Sequence, residues 1–328
     1  MKIDILEYER KYSFELEPIT QLCGQNIAKK TYIYESIRRY FSTYKYREND
    51  TKWRDNVKVN GVALGRKYFA LVSVSDVKDI LAMIKWSKQS LMIEYVKNLV
   101  QKFDCQQHIN AINKELEIMI QKMNENIHEI GNVELSYTMS DVLEMVQKTD
   151  IVSNNQVELE DKNSYELLTI FFNLLERTLE KNPQKTLVLV ENIDHLISQK
   201  EYVEIVEKLR KIVHKYDAYF VLSTSLDGYV KCDEYFCSGI KIFGDVDFQM
   251  PEFEEMLAYV NNSYPCNKEI SAERLKAVLI KIMQKIGQYE FLNNIEESVI
   301  CKLINQTLMI HKKMEIYEIA SEIAFLKS

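Results

Sequence analysis

The segment Thr20-Gln-Leu-Cys-Gly24-Gln-Asn-Ile-Ala-Lys29-Lys30-Thr31 narrows the fold more than any other, because it falls just short of a phosphate-binding loop. That loop reads Gly, four variable residues, then Gly-Lys-Ser/Thr, between a strand and a helix. Gly24, Lys30 and Thr31 take three of the four defining positions, and Lys29 stands where the second glycine belongs. The missing glycine lets backbone N–H groups close around a phosphate; a lysine brings a Cβ and a long side chain into that cradle. The flanks suit the pattern. An apolar run from Ile19 to Cys23 leads in, and Ile33, Ile37 and Phe41 then recur every four residues, as on a helix.

A second run, Leu187-Val-Leu-Val190-Glu191, is an apolar strand ending in a carboxylate. In nucleotide hydrolases an acid at this place holds Mg²⁺ and the next residue is often a catalytic Glu. Here Glu191 takes the metal position and Asn192, which cannot act as a general base, takes the other. Gly24, Lys30, Thr31 and Glu191 therefore outline a degenerate nucleotide site, with no ATP expected and no catalytic residue assigned. The plainer alternative makes Lys30 a surface lysine and Leu187–Val190 an ordinary buried strand. Ser223-Thr224-Ser225, after an apolar run from Tyr219 to Leu222, can sense a γ-phosphate or simply begin a turn.

Charge supplies the next constraint. The chain carries −7 overall, yet residues 28–67 carry +7, which leaves −14 on the remainder. Lys29, Lys30, Arg38, Lys52, Arg54, Lys58, Arg66 and Lys67 lie in the basic segment, interleaved with Tyr32, Tyr34, Tyr40, Tyr44, Tyr46, Trp53 and Tyr68. Cations mixed with aromatics suit a nucleic-acid backbone, so these eight are the candidate DNA contacts. A solvated face over core aromatics is the alternative.

Other classes recede. No run approaches the roughly 20 apolar residues of a membrane span. Met1-Lys-Ile-Asp-Ile alternates like a strand and lacks a signal-peptide layout, so a cytoplasmic protein is expected. The six cysteines form no Cys-x-x-Cys pair, and Cys232 and Cys237 have no nearby histidine to complete a zinc set.

Along the chain, residues 2–7 and 12–17 read as strands, Asn60-Gly61 as a primed hairpin turn, and 68–74 as a strand before a helix capped by Ser75. From Asp76 to Ile127 apolar residues recur at helical steps without glycine or proline. Gly131 ends that section, Ser140 starts a short helix, and Ser153-Asn-Asn155 marks a loop. Later come a helix at 201–216, a last strand at 240–243, and helices at 252–261, 271–287, 294–308 and 312–326. The fold class is α/β: a degenerate P-loop-like head with a mainly parallel sheet, a long helical insertion and a C-terminal helical region. The expected domains are a discontinuous head, 1–88 with 165–250, a helical leg, 89–164, and a C-terminal helical region, 251–328.

This layout resembles a known family, the long-form Csn-two proteins, accessory factors for spacer acquisition in type II-A CRISPR systems. The resemblance rests on the N-terminal strands from Met1 to Glu17, on Ile19 to Ile27 with Lys30-Thr31, on Gly65-Arg-Lys-Tyr-Phe69 and on Leu187 to Asp194. It implies a homotetrameric ring around double-stranded DNA ends, stabilised by calcium, working beside the CRISPR integrase complex and effector nuclease, without catalysis. No motif fixes calcium ligands. Two other functions compete: a P-loop nucleotide hydrolase coupled to DNA, and a structural protein–protein scaffold with the helical arm as its interface.

Overall fold

The computed structural model describes residues 1–127, 134–136, 146–152, 157–265, 268–288 and 294–310. The expected features at Gly131, Ser140, 153–155 and 312–326 lie outside them. The chain forms two compact units, Met1–Ser73 with Lys185–Ser328, and Val74–Gln184.

The first unit holds two sheets. Strands β1 (Lys2–Glu7), β2 (Arg10–Glu15) and β4 (Val57–Val59) form an antiparallel sheet in the order β2-β1-β4. The N-terminal hairpin thus builds its own sheet and does not extend the main one. Asn60 and Gly61 make the expected turn, both with positive φ (50° and 80°). The hairpin beyond it does not form: Val59 meets Val62 in a single bridge. β1 has already paired with β4, and it clasps the turn through Lys2 N to Asn60 Oδ1 at 2.9 Å.

The main sheet runs β5-β6-β7-β3-β8-β9, with β3 (Ile19–Cys23), β5 (Ala70–Val74), β6 (Thr186–Glu191), β7 (Ala218–Ser223), β8 (Ile240–Phe243) and β9 (Asp247–Gln249). β6, β7, β3 and β8 are parallel neighbours. β9 returns antiparallel to β8, so 240–243 is not the last strand. With three half-buried residues, β9 has no alternating pattern long enough to read in advance. This is a mixed α/β fold with a mostly parallel sheet.

Two cores flank that sheet. One joins α1 (Ile27–Phe41) and the small sheet to it through Ile3, Ile5, Phe14, Ile33, Leu187 and Phe243. The other gathers α7 (Phe253–Ser263), α8 (Ala272–Ile282) and α9 (Ile295–Thr307) against Ile240 and Ile242. Alternation along β8 makes this possible, since successive side chains point to opposite faces. Each fully buried Leu, Ile or Phe contributes about 1.5–3 kcal/mol.

The second unit is helical. Its expected helical section comprises α2 (Val77–Ile84), α3 (Leu91–Val100) and α4 (Phe103–Ile127). The Asp76 side chain, not that of Ser75, caps the start of α2 by accepting from Asp79 N, and that of Ser90 restarts the helix at α3 by accepting from Ile93 N. α5 (Ser164–Lys181), opened by an Asn163–Glu166 capping box, packs on α2 and α3. In the first unit, the helix expected at 201–216 is α6 (Gln199–Val213), started by a second capping box at Ser198 and Glu201.

Candidate functional site

Ligands of open parallel sheets bind outside the carboxyl ends of the strands, and there the loop after β3 meets the loops after β6 and β7. Gly24 has φ +93°, and a Cβ on it would lie 2.4 Å from Phe243 O, so only glycine fits. α1 follows as the pattern requires, capped by the Asn26 side chain, which accepts from Lys29 N at 3.0 Å.

The groups that would cradle a phosphate already have partners within the chain. Gly24 N–H donates to Gln284 Oε1 at 2.7 Å, and Asn26 N–H donates to Phe243 O at 3.0 Å. Gln284, just after α8, is 5% exposed. Its Nε2 donates to Thr224 Oγ1 (2.8 Å) and Gly228 O (3.1 Å). Lys29 turns away to Gly244 O and Asp247 Oδ1, both at 2.9 Å. Lys30, 2% exposed, donates to Thr224 O at 2.7 Å. Burial pushes its ammonium below the usual lysine range, against the pull of Cys23, Asp194 and Glu191. Burial likewise pushes the Cys23 thiol up to about 12.

Beside the loop lies a cavity of about 450 Å³, with Lys30, Thr31, Glu191, Asp194, His195 and Asp227 on its wall. Three carboxylates face one engaged lysine and a histidine there, a balance that disfavours a polyphosphate. Asn192 begins a left-handed turn (φ +53°). The buried acid is Asp194, which accepts from Ser225 N (3.1 Å) and Ser225 Oγ. Neither Asp194 nor Gln284 was marked by sequence reasoning. Among the described residues no three His, Cys, Asp or Glu side chains converge as a metal requires. No ligands are assigned here to the calcium implied above.

The eight basic candidates divide. Lys29 and Lys30 are engaged as described, and Arg38 pairs with Glu35 at 2.8 Å. Lys52, Arg54, Arg66 and Lys67 are exposed, and Lys58 is half-buried on β4. Aromatic rings hold several in place: Lys52 Nζ lies 4.7 Å from the Trp53 ring, and Arg66 lies 5.3 Å from that of Tyr46. The structure also brings Lys185 to this group. Its Nζ donates to Tyr68 Oη at 2.9 Å and lies over the rings of Tyr68 and Tyr219. A lone lysine far along the chain carries no sequence signal for that position.

The chain matches the family model described as CRISPR-associated protein Csn2 subfamily St over residues 6–322. It belongs to that family. The crystal structure of Stu0660 of Streptococcus thermophilus superposes with a TM-score of 0.90 at 23% identity, over 100% of this chain and 99% of that one. That likeness shows a shared fold. The SMC head bound to the C-winged helix domain of ScpA matches with a TM-score of 0.42 at 10% identity, over 76% of this chain and 97% of that one. No curated protein matches.

Two outcomes follow from the geometry. Gln284→Ala leaves Gly24 N–H and Thr224 Oγ1 without their buried partner, and a loss of roughly 1–3 kcal/mol is expected in chemical denaturation; unchanged stability would refute the contact. The second concerns Glu35. Burial raises its pKa, but hydrogen bonds from Arg38 (2.8 Å) and Arg39 (3.0 Å) outweigh this and lower it from 4.5. A lowered carboxylate stabilises the fold above its unfolded pKa and loses that contribution as pH falls through the folded one. Glu35→Gln is expected to destabilise by about 1 kcal/mol near neutral pH, after allowance for partial exposure, with the gap closing in acid. A gap that persists in acid counts against the charge pairing.

Proposed function

We propose that this protein is a non-catalytic double-stranded-DNA-binding ring, a homotetramer that takes DNA ends and serves CRISPR spacer acquisition in the cytoplasm, beside the integrase complex and the effector nuclease. One observation carries the reading. Lys52, Arg54, Lys58, Arg66 and Lys67 keep their charges available on a +7 segment of a −7 chain. Membership of a CRISPR-associated family supports it. Cations meeting phosphates give sequence-independent, salt-sensitive binding. The head has a strand, a glycine turn and a helix in the order of a P-loop, and the Gly24 amide and both loop lysines are engaged by the chain itself. A ring need not be basic overall, because only its channel faces phosphates.

The test is a binding series on purified protein with linear and relaxed closed-circular duplex, in calcium and in chelator. If five phosphates are neutralised, log K should fall against log salt with a slope of roughly −4 to −5. Changing Lys52, Arg54, Lys58, Arg66 and Lys67 together to Glu should abolish binding. A folded variant that binds normally moves the DNA surface elsewhere. Linear duplex should bind far better than closed circles, and light scattering should give about four times 38.7 kDa. Equal affinity for circles, or a monomer at micromolar concentration, removes the ring. The alternative, a working hydrolase, is tested separately. Turnover of ATP is expected to stay at background, because the Gly24 amide is occupied and Asn192 cannot activate water. Turnover that Lys30→Ala removes would overturn this.

A further inference from the structure

The β1–β2 turn breaks a backbone rule without any local return. Glu7 pairs with Arg10, so Tyr8 and Glu9 are the whole loop. Two-residue loops favour Gly or Asn where φ is positive. Here the residue with φ +54° is Tyr8. A bulky side chain in that region is strained, and such strain persists where something repays it. Packing does not, because Tyr8 is 79% exposed. Its neighbours behave otherwise: Tyr12 and Tyr32 are 4% and 6% exposed.

The turn also lies at the end of the small sheet where β1 meets the segment carrying Lys52 and Arg54, with Glu7, Glu9 and Asp55 among the charges there. The Tyr32 hydroxyl is within hydrogen-bond distance of both Leu6 O (2.8 Å) and Lys52 O (2.9 Å). Leu6 N–H donates to Asn56 O at 2.9 Å. These contacts tie the strand leading into Tyr8 to the short turn carrying Lys52, Trp53 and Arg54. A projecting aromatic ring thus follows a strand tied to the turn that carries two exposed cations. Cations track a phosphate backbone, and an exposed ring offers a face on which any base can stack.

We propose that Tyr8 stacks on the nucleobase exposed at a duplex end while Lys52 and Arg54 hold the adjoining phosphates. This rests on the DNA-binding reading above and adds the group that senses the end itself. A blunt terminal pair or an unpaired terminal base presents a free π-face; the interior of a duplex does not.

The test uses the full-length protein with short linear duplexes carrying 2-aminopurine as an unpaired terminal base. Wild type should quench the fluorophore on binding. Tyr8→Phe should do the same, and Tyr8→Gly should lose the quenching and about tenfold in affinity for that end. Tyr8→Gly also relieves the turn, so its thermal stability should equal or exceed that of wild type, which separates lost stacking from lost folding. Binding to long duplex, carried by the phosphates, should stay near wild type. A folded Tyr8→Gly variant that quenches and binds the end like wild type overturns the inference and leaves the DNA reading intact. If Tyr8→Gly instead breaks assembly to monomers, the ring is a contact between copies and the inference falls. If wild type binds no duplex and the five-site Glu variant behaves identically, the DNA reading falls and takes this inference with it.

Discussion

The hydrogen bond from Gly24 N–H to Gln284 Oε1 is the contact on which the rest of the first unit turns. It joins residues 260 positions apart. It also satisfies a backbone amide in the loop between β3 and α1, where neither strand nor helix supplies a partner. In a nucleotide-binding protein a phosphate meets that demand. Here a carboxamide does, and its other end bridges to Thr224 and Gly228. Because Gln284 follows α8, the C-terminal helices complete the α/β core and are not an appendage to it. Their apolar residues Leu275, Val278, Leu279 and Ile282 are buried in the same cluster as Ile240 and Ile242.

The charges around that crevice are engaged as well. Both loop lysines take acceptors within the chain, since an unpaired buried ammonium is expensive. Lys30 takes the carbonyls after β7, and Lys29 takes Asp247 on the edge strand β9. Each cation thereby fixes a neighbouring loop. The basic segment consequently holds two kinds of charge. Lys29, Lys30, Arg38 and Arg39 are structural, whereas Lys52, Arg54, Lys58, Arg66 and Lys67 remain open to an external anion. Net charge alone merges the two groups; hydrogen-bond partners separate them.

The sequence made local features visible and hid distant ones. Gly24, the β3 strand and α1 were legible because loop chemistry and a four-residue apolar period are written in adjacent positions. β6 ending at Glu191 was legible for the same reason, as was the Asn60-Gly61 turn. The end of the hairpin beyond that turn was not, because pairing stops after the single Val59–Val62 bridge, and no local residue pattern marks that stop. The two breaks in the helical section escaped too, since an apolar period continues across a short interruption. Gln284 and Asp247 carry no local signal at all. A single glutamine in a helical stretch and an aspartate in a three-residue strand become part of the site only through tertiary contact.

The same contrast explains why the strained turn at Tyr8 carries functional weight when the strain at Gly24 does not. Gly24 needs its positive φ to clear Phe243, and glycine meets the need without penalty. Asn192 adopts its own positive φ at the start of a turn, a conformation its side chain tolerates. Tyr8 has neither justification: the residue type is wrong for the turn, and the side chain packs on little. A sequence under selection for folding alone would place glycine or asparagine there. On the DNA-binding reading proposed above, what keeps the ring in water is a partner with both phosphates and an exposed aromatic face.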